Sequence, residues 1–162
     1  MRYVTLGVVV WCLMGAPASA QTQDAQLMAP IKKFVDSFNK GDMAGAASTH
    51  AAGADLAITD EVPPFLWTGA QALKAWSTDL DADAKKKGIT EPMVTLSAPT
   101  RIESTADQAY VVVPAVYTFK ERGVAMREAA QMTFALKKGA SGWLIHAWTW
   151  TGPKPQKATG KQ

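Results

Sequence analysis

The chain has 162 residues, of which 48% are apolar and 19% charged; that is one domain's length, with a composition that excludes wholesale disorder. Its 17 basic and 14 acidic residues leave a net charge of +3, too even for a dedicated nucleic-acid binder. One Cys and two His exclude an intrachain disulfide and fall short of a His/Cys zinc set.

Residues 1–20 (MRYVTLGVVVWCLMGAPASA) read as a cleavable export signal. Arg2 gives the positive start, residues 4–14 the apolar run, and Ala18-Ser19-Ala20 a small-x-small site with the cut after Ala20. The run is shorter than the roughly 20 apolar residues of a spanning helix. The expected location is therefore periplasmic or secreted, with no membrane attachment after cleavage. Removing Cys12 also leaves the mature chain without a thiol nucleophile, iron–sulfur ligand or redox switch.

Residues 21–26 are polar and are expected to form a flexible lead. From Leu27 the spacing turns helical, with Leu27, Ile31, Phe34, Val35 and Phe38 on one stripe. Pro30 is expected in the first turn, Gly41 ends the helix, and Asp42 caps a short Ala-rich helix over 43–52. Residues 54–59 and 65–67 read as short strands around a Pro-Pro break. Residues 70–87 form a helix with Leu73, Trp76 and Leu80 on one face. The run Lys85-Lys86-Lys87 at its end complements the helix dipole.

The remainder is β-rich. One strand kinked near Pro99 is expected over 93–104, then strands over 109–121, 124–138 and 143–151, joined by turns at Arg122-Gly123 and Gly139–Gly142. Residues 153–162 read as a flexible tail. Helices first and a meander after predict an α+β class, a curved antiparallel sheet wrapped around the N-terminal helices to form a cone with a pocket.

Three segments, FVDSFNKGDMAGAAS, TGAQALKAW and MTFALKKGASGWLIHAWTW, resemble the nuclear-transport-factor-like superfamily, which includes SnoaL-like polyketide cyclases and ketosteroid isomerases. The resemblance spans residues 27–152. It implies a cone with a pocket at its open end and an outer sheet face that serves as a homodimer interface. It also implies a general-base carboxylate near the first short strand. Many relatives carry histidines late in the last strand, at positions matching Ala147 and Thr149 here, so this chain departs from that pattern.

In the last strand, strict alternation puts Leu144, His146, Trp148 and Trp150 on one face. That face reads as a pocket wall with His146 as polar anchor and proton shuttle, or as an inert aromatic cluster. Asp60 is the best-placed carboxylate for a general base; the alternative is a solvated turn. Tyr117 lies on a small-residue face of the long strand and is the candidate oxyanion donor. His50 follows the second helix and reads as a cationic helix cap or a catalytic group at the cone's mouth. Glu128 reads as a sheet-interior carboxylate, whose pKa isolation would raise, or, as the main expectation, as a partner of Arg127, Arg101 or Lys120 near the sheet edge. The predicted pocket walls are Phe38, Trp67, Tyr117, His146, Trp148 and Trp150.

No nucleotide-phosphate loop, GxSxG elbow, HExxH pair or calcium loop occurs in the sequence, and no cofactor or metal is expected. Three functions follow: an exported binder of a small apolar or aromatic molecule, a cofactor-independent isomerase, cyclase or dehydratase using Asp60 or His146, and a dimerising structural module.

Overall fold

A computed structural model describes residues 18–158, with side chains from Thr22 onward. Residues 1–17 of the expected export signal (1–20) and residues 159–162 of the expected tail lie outside the described residues. Three helices and eight strands are present among the described residues: α1 (Ala18–Asn39), α2 (Met43–Ala47), β1 (Ala57–Thr59), β2 (Leu66–Thr68), α3 (Ala72–Lys87), β3 (Ile89–Leu96), β4 (Arg101–Ser104), β5 (Gln108–Glu121), β6 (Val124–Gly139), β7 (Gly142–Thr151) and β8 (Gln156–Lys157).

The apolar stripe of α1 is what holds it inside the fold. Leu27, Ile31, Phe34 and Val35 are each 5% exposed or less, as period-3.6 spacing requires of a helix lying on a sheet. The chain is already helical at Ala18, the first described residue, so residues 22–26 are exposed helix rather than a loose lead, and Pro30 lies in the helix interior, not its first turn. The Pro ring removes the N–H that the Gln26 carbonyl would accept, and Gln26 is on the exposed side. At the far end Asn39 donates Nδ2–H to the Val94 carbonyl and accepts the Val94 N–H, both at 2.8 Å. This amide therefore docks the helix end onto β3 as a strand neighbour would.

The sheet runs β2-β1-β7-β6-β5-β3, with β4 beside β5 and β8 beside β6. Its long strands pair antiparallel, but β1 runs parallel to β7. The sheet is thus mixed rather than wholly antiparallel. β5 and β6 form a long hairpin through Arg122 (φ 49°) and Gly123 (φ 83°), two left-handed residues that match strand twist. The segment expected as one kinked strand is split by Ser97–Thr100 into β3 and β4, since Pro99 has no N–H for a ladder. Within the expected loose tail, Gln156 and Lys157 pair with Arg127 and Met126.

One irregularity decides which side chains face inward. Ala135 pairs with Ala147 but Leu136 pairs with Ile145, which leaves His146 as the extra residue of a bulge in β7. The bulge resets the alternation, so Ile145 and Trp148, three apart, are both buried in the core with Trp143. His146 is thrown off the face it was expected to share with Trp148 and Trp150.

Candidate active site

A cavity of about 430 Å³ opens between α1, α3, the sheet and the chain after β7. Phe34 and Phe38 enter from α1, Trp76 and Leu80 from α3, Tyr117 and Phe119 from β5, and Trp148 and Trp150 from β7. The rings pack against one another: Trp76 is edge-on to Trp148 at 5.0 Å, and Phe34 lies 5.5 Å from Trp148. Of the residues predicted to form its walls, Phe38, Tyr117, Trp148 and Trp150 line this cavity.

Trp67 and His146 do not line it. Trp67 is buried between β2 and α3, donating Nε1–H to Asp79 at 2.8 Å; α3 takes up its polar edge. His146 is displaced by the bulge, and its Nδ1 is buried without a hydrogen-bond partner among the described residues. His50 is neither at the mouth nor a cationic cap. Its Nδ1 meets the Ala46 carbonyl at 2.9 Å, and its Nε2 accepts Trp148 Nε1–H at 3.2 Å. Those partners fix the neutral tautomer with Nδ1 protonated, and burial pulls its pKa down to about 4.

Asp60 follows β1 and is turned into the cavity by its loop. Its Oδ2 accepts Trp76 Nε1–H and its Oδ1 accepts the Glu61 backbone N–H, both at 2.6 Å. The Asp60 N–H donates to the Phe65 carbonyl and the Phe65 N–H to that of Val62, closing the loop on itself. This is not the solvated turn that Asp-Glu-x-Pro-Pro suggests. Burial raises the Asp60 pKa above the ordinary carboxylate range, while the two hydrogen bonds oppose the shift.

Glu128 points inward from β6 and is 3% exposed. No ion pair among the described residues engages it, in contrast to the expected Arg or Lys partner. Its Oε1 accepts Trp150 Nε1–H at 2.8 Å, and it hydrogen-bonds to Glu61. Two carboxyl groups can share a hydrogen bond only if one carries a proton. Burial pushes Glu128 up to about 7; Trp150 opposes the shift, and the Glu61 contact and the Asp60 charge add to it. Glu61 is raised too, by partial burial first, although its bonds to Glu128 and the Gly152 N–H and the charge of Lys87 lower it. A Cβ on Gly152 would collide with Glu128 Oε1, so only glycine lets the backbone approach this pair.

Tyr117 stands directly across the ladder from Glu128. Burial first, then the charges of Asp60, Glu128 and Asp83, push its pKa up to about 12, so the phenol keeps its proton. Sequence reading found Asp60 and Tyr117 but missed the partnership of Glu61 with Glu128 and the bond from Trp76 to Asp60. The one available signal was the odd Glu128 on the inward register of a strand otherwise lined by Met126, Met132 and Phe134. Among the described residues no group of three His, Cys, Asp or Glu is placed to hold a metal ion.

The pair has a stability signature. The native pKa of Glu128 lies above its unfolded value of 4.5, so the native state holds the proton more tightly. Its cost is absent below pH 4.5 and grows as pH rises towards 7. In Glu128→Gln the amide oxygen still accepts from Trp150 and its nitrogen donates to Glu61. This variant is expected to be more stable than wild type at pH 8, by up to ~3 kcal/mol, and nearly equal at pH 4. Urea denaturation at the two pH values measures the difference; equal gains at both would contradict the assignment.

No family model matches the chain, and no curated protein matches it. Solved structures do. A type 2 hexachlorocyclohexane dehydrochlorinase (LinA) superposes with a TM-score of 0.71 at 13% identity, covering 91% of this chain and 96% of its own. A nuclear transport factor 2-like superfamily protein from Salmonella enterica serovar Typhimurium gives 0.68 at 15% identity, covering 88% and 99%. A ketosteroid isomerase-like protein from Erwinia carotovora atroseptica gives 0.63 at 20% identity, covering 82% and 98%. The chain therefore has the nuclear-transport-factor-2-like, or SnoaL-like, cone fold. At these identities the likeness is one of fold.

Proposed function

We propose that the protein binds a small, mainly apolar molecule in the cone and transfers a proton on it, without a cofactor, in an isomerase- or dehydratase-type reaction. The observation that carries this reading is the convergence of Asp60, Glu61, Glu128 and Tyr117 in one aromatic-walled cavity. A carboxylate whose pKa is raised by burial is a stronger base than one in water, and Trp76 holds Asp60 in place. The Glu61–Glu128 pair carries a proton near neutral pH and so supplies the acid. Environments that push carboxyl pKa values apart are how acid and base roles are divided. In this reading Asp60 accepts a proton from carbon, and the pair or Tyr117 donates to the atom that gains electron density.

Two of the similar structures are named for a dehydrochlorinase and an isomerase-like protein, which favours proton removal from carbon here. A pure assembly module would fill its cone, and this cone is hollow. The reading also takes the protein as exported, on the strength of residues 1–20, and as a homodimer through the outer face of the sheet.

The test is solvent exchange. The full chain in D2O with a panel of cyclic enones and halogenated cycloalkanes should catalyse deuterium uptake or halide release on at least one member. A panel that binds in the cone with no exchange or release contradicts the chemical half of the proposal.

A further inference from the structure

Proton transfer by itself explains neither the sign of the cavity's charge nor the number of aromatic residues that line it. The carboxyl groups lining it are Asp60, Glu61, Asp83, Glu121 and Glu128, and the lysines are Lys87 and Lys154. Lys87 is already committed to Asp83 at 2.7 Å. Lys154 lies on the exposed rim. The groups on the remaining walls are uncharged: Tyr117 keeps its proton, and His50, behind Trp148, is neutral. The interior is thus acidic, and its other surface combines aromatic rings with aliphatic side chains such as Leu80, Ile89 and Met132.

We infer that the cavity takes an organic cation, a small apolar molecule carrying an ammonium or equivalent positive centre, in preference to a neutral or anionic molecule. This rests on the placement of the ligand in the cone proposed above. Phe34, Phe38, Trp76, Tyr117, Trp148 and Trp150 all line the one cavity. Ring faces carry negative quadrupole charge and attract a cation most strongly where water is excluded. An apolar cation gains from both kinds of wall, whereas an anion gains from neither. A neutral molecule uses the rings but leaves the crowded carboxyls as they were.

Glu61 and Glu128 now meet that crowding by sharing a proton. A cation beside them replaces the proton as the neutralising charge. Binding therefore releases a proton, and affinity rises as pH rises through the range in which the pair ionises.

The test uses the full chain, with calorimetry and tryptophan fluorescence reading the binding of three probes: benzyltrimethylammonium, its neutral carbon isostere neopentylbenzene, and phenylacetate. At pH 8 the cation should bind about tenfold more tightly than the isostere. Its affinity should rise from pH 6 to pH 8, with proton release seen as a dependence of the heat on buffer. Glu61→Gln, at an exposed residue and so compatible with folding, and Glu128→Gln should each shrink the preference. Equal or tighter binding of the isostere, tighter binding of phenylacetate, no binding of the cation, or a preference unchanged in both variants overturns the inference. If the isostere wins while Asp60-dependent exchange persists, only the charge preference fails. If no probe binds and no exchange occurs, the proton-transfer reading fails with it.

Discussion

Asp60→Asn is expected to lower turnover by about 10²–10⁴-fold, the range ascribed to a positioned general base, while leaving the fold intact. The amide is nearly isosteric, and its oxygen can still accept Trp76 Nε1–H, the bond that wild type makes at 2.6 Å. What the variant loses is the ability to take a proton. Because burial raises the native pKa of Asp60 above its unfolded value, ionised Asp60 destabilises the native state near and above neutral pH. Its removal should not lower the melting temperature there. Exchange kinetics at saturating substrate, alongside a thermal melt, separate the two effects. Unchanged turnover in a folded variant removes Asp60 from the reaction. The parallel variant His146→Ala is expected to leave turnover unaltered, because the β7 bulge keeps this imidazole out of the cavity.

Trp148→Ala is expected to cost about 3–5 kcal/mol of stability, a large part of the ~5–15 kcal/mol that a domain has in total. Trp148 is 3% exposed and contacts Phe34 and Trp76 through its rings. Truncation opens a void between α1, α3 and β7, which such a packed interior closes only in part. It also leaves His50 Nε2 buried without the hydrogen bond it accepts from Trp148, an added penalty of about 1–3 kcal/mol. Urea denaturation should give a lower midpoint with an unchanged slope. A loss below about 1 kcal/mol would show that the aromatic cluster is not the keystone of the cone.

The order of elements and the α1 stripe were legible because they depend on local periodicity. Phe34 and Val35 had to share a face with Ile31, and the β5–β6 hairpin was marked by Arg122-Gly123. The face of β7 was not legible. A bulge is a property of pairing between two strands, and nothing in GWLIHAWTWT marks the residue at which Leu136 and Ala135 skip one position. Strict alternation therefore put His146 on the inward face and Ile145 outside the core, where the structure buries it. The carboxyl pair was hidden for a similar reason. Glu61 and Glu128 are distant in sequence, and a glutamate beside arginine reads as a surface ion pair until the sheet turns it inward. Trp67 and Trp76 could not be told apart either, since Trp76 lies on α3 and Trp67 packs on that helix from β2, and only the loop from Asp60 to Phe65 decides which ring edge meets the cavity.

The claim on which the rest depends is that carboxyl groups in this cone hold protons that ordinary carboxylates have lost. Carboxyl ¹³C chemical shifts of Asp- and Glu-labelled protein, followed from pH 3 to pH 9, measure it directly. Glu128 should ionise near pH 7, its transition should be shared with Glu61 as a coupled pair, and Asp60 should ionise above the usual range. Completion of all three ionisations near pH 4, the range of carboxylates in water, would contradict the account.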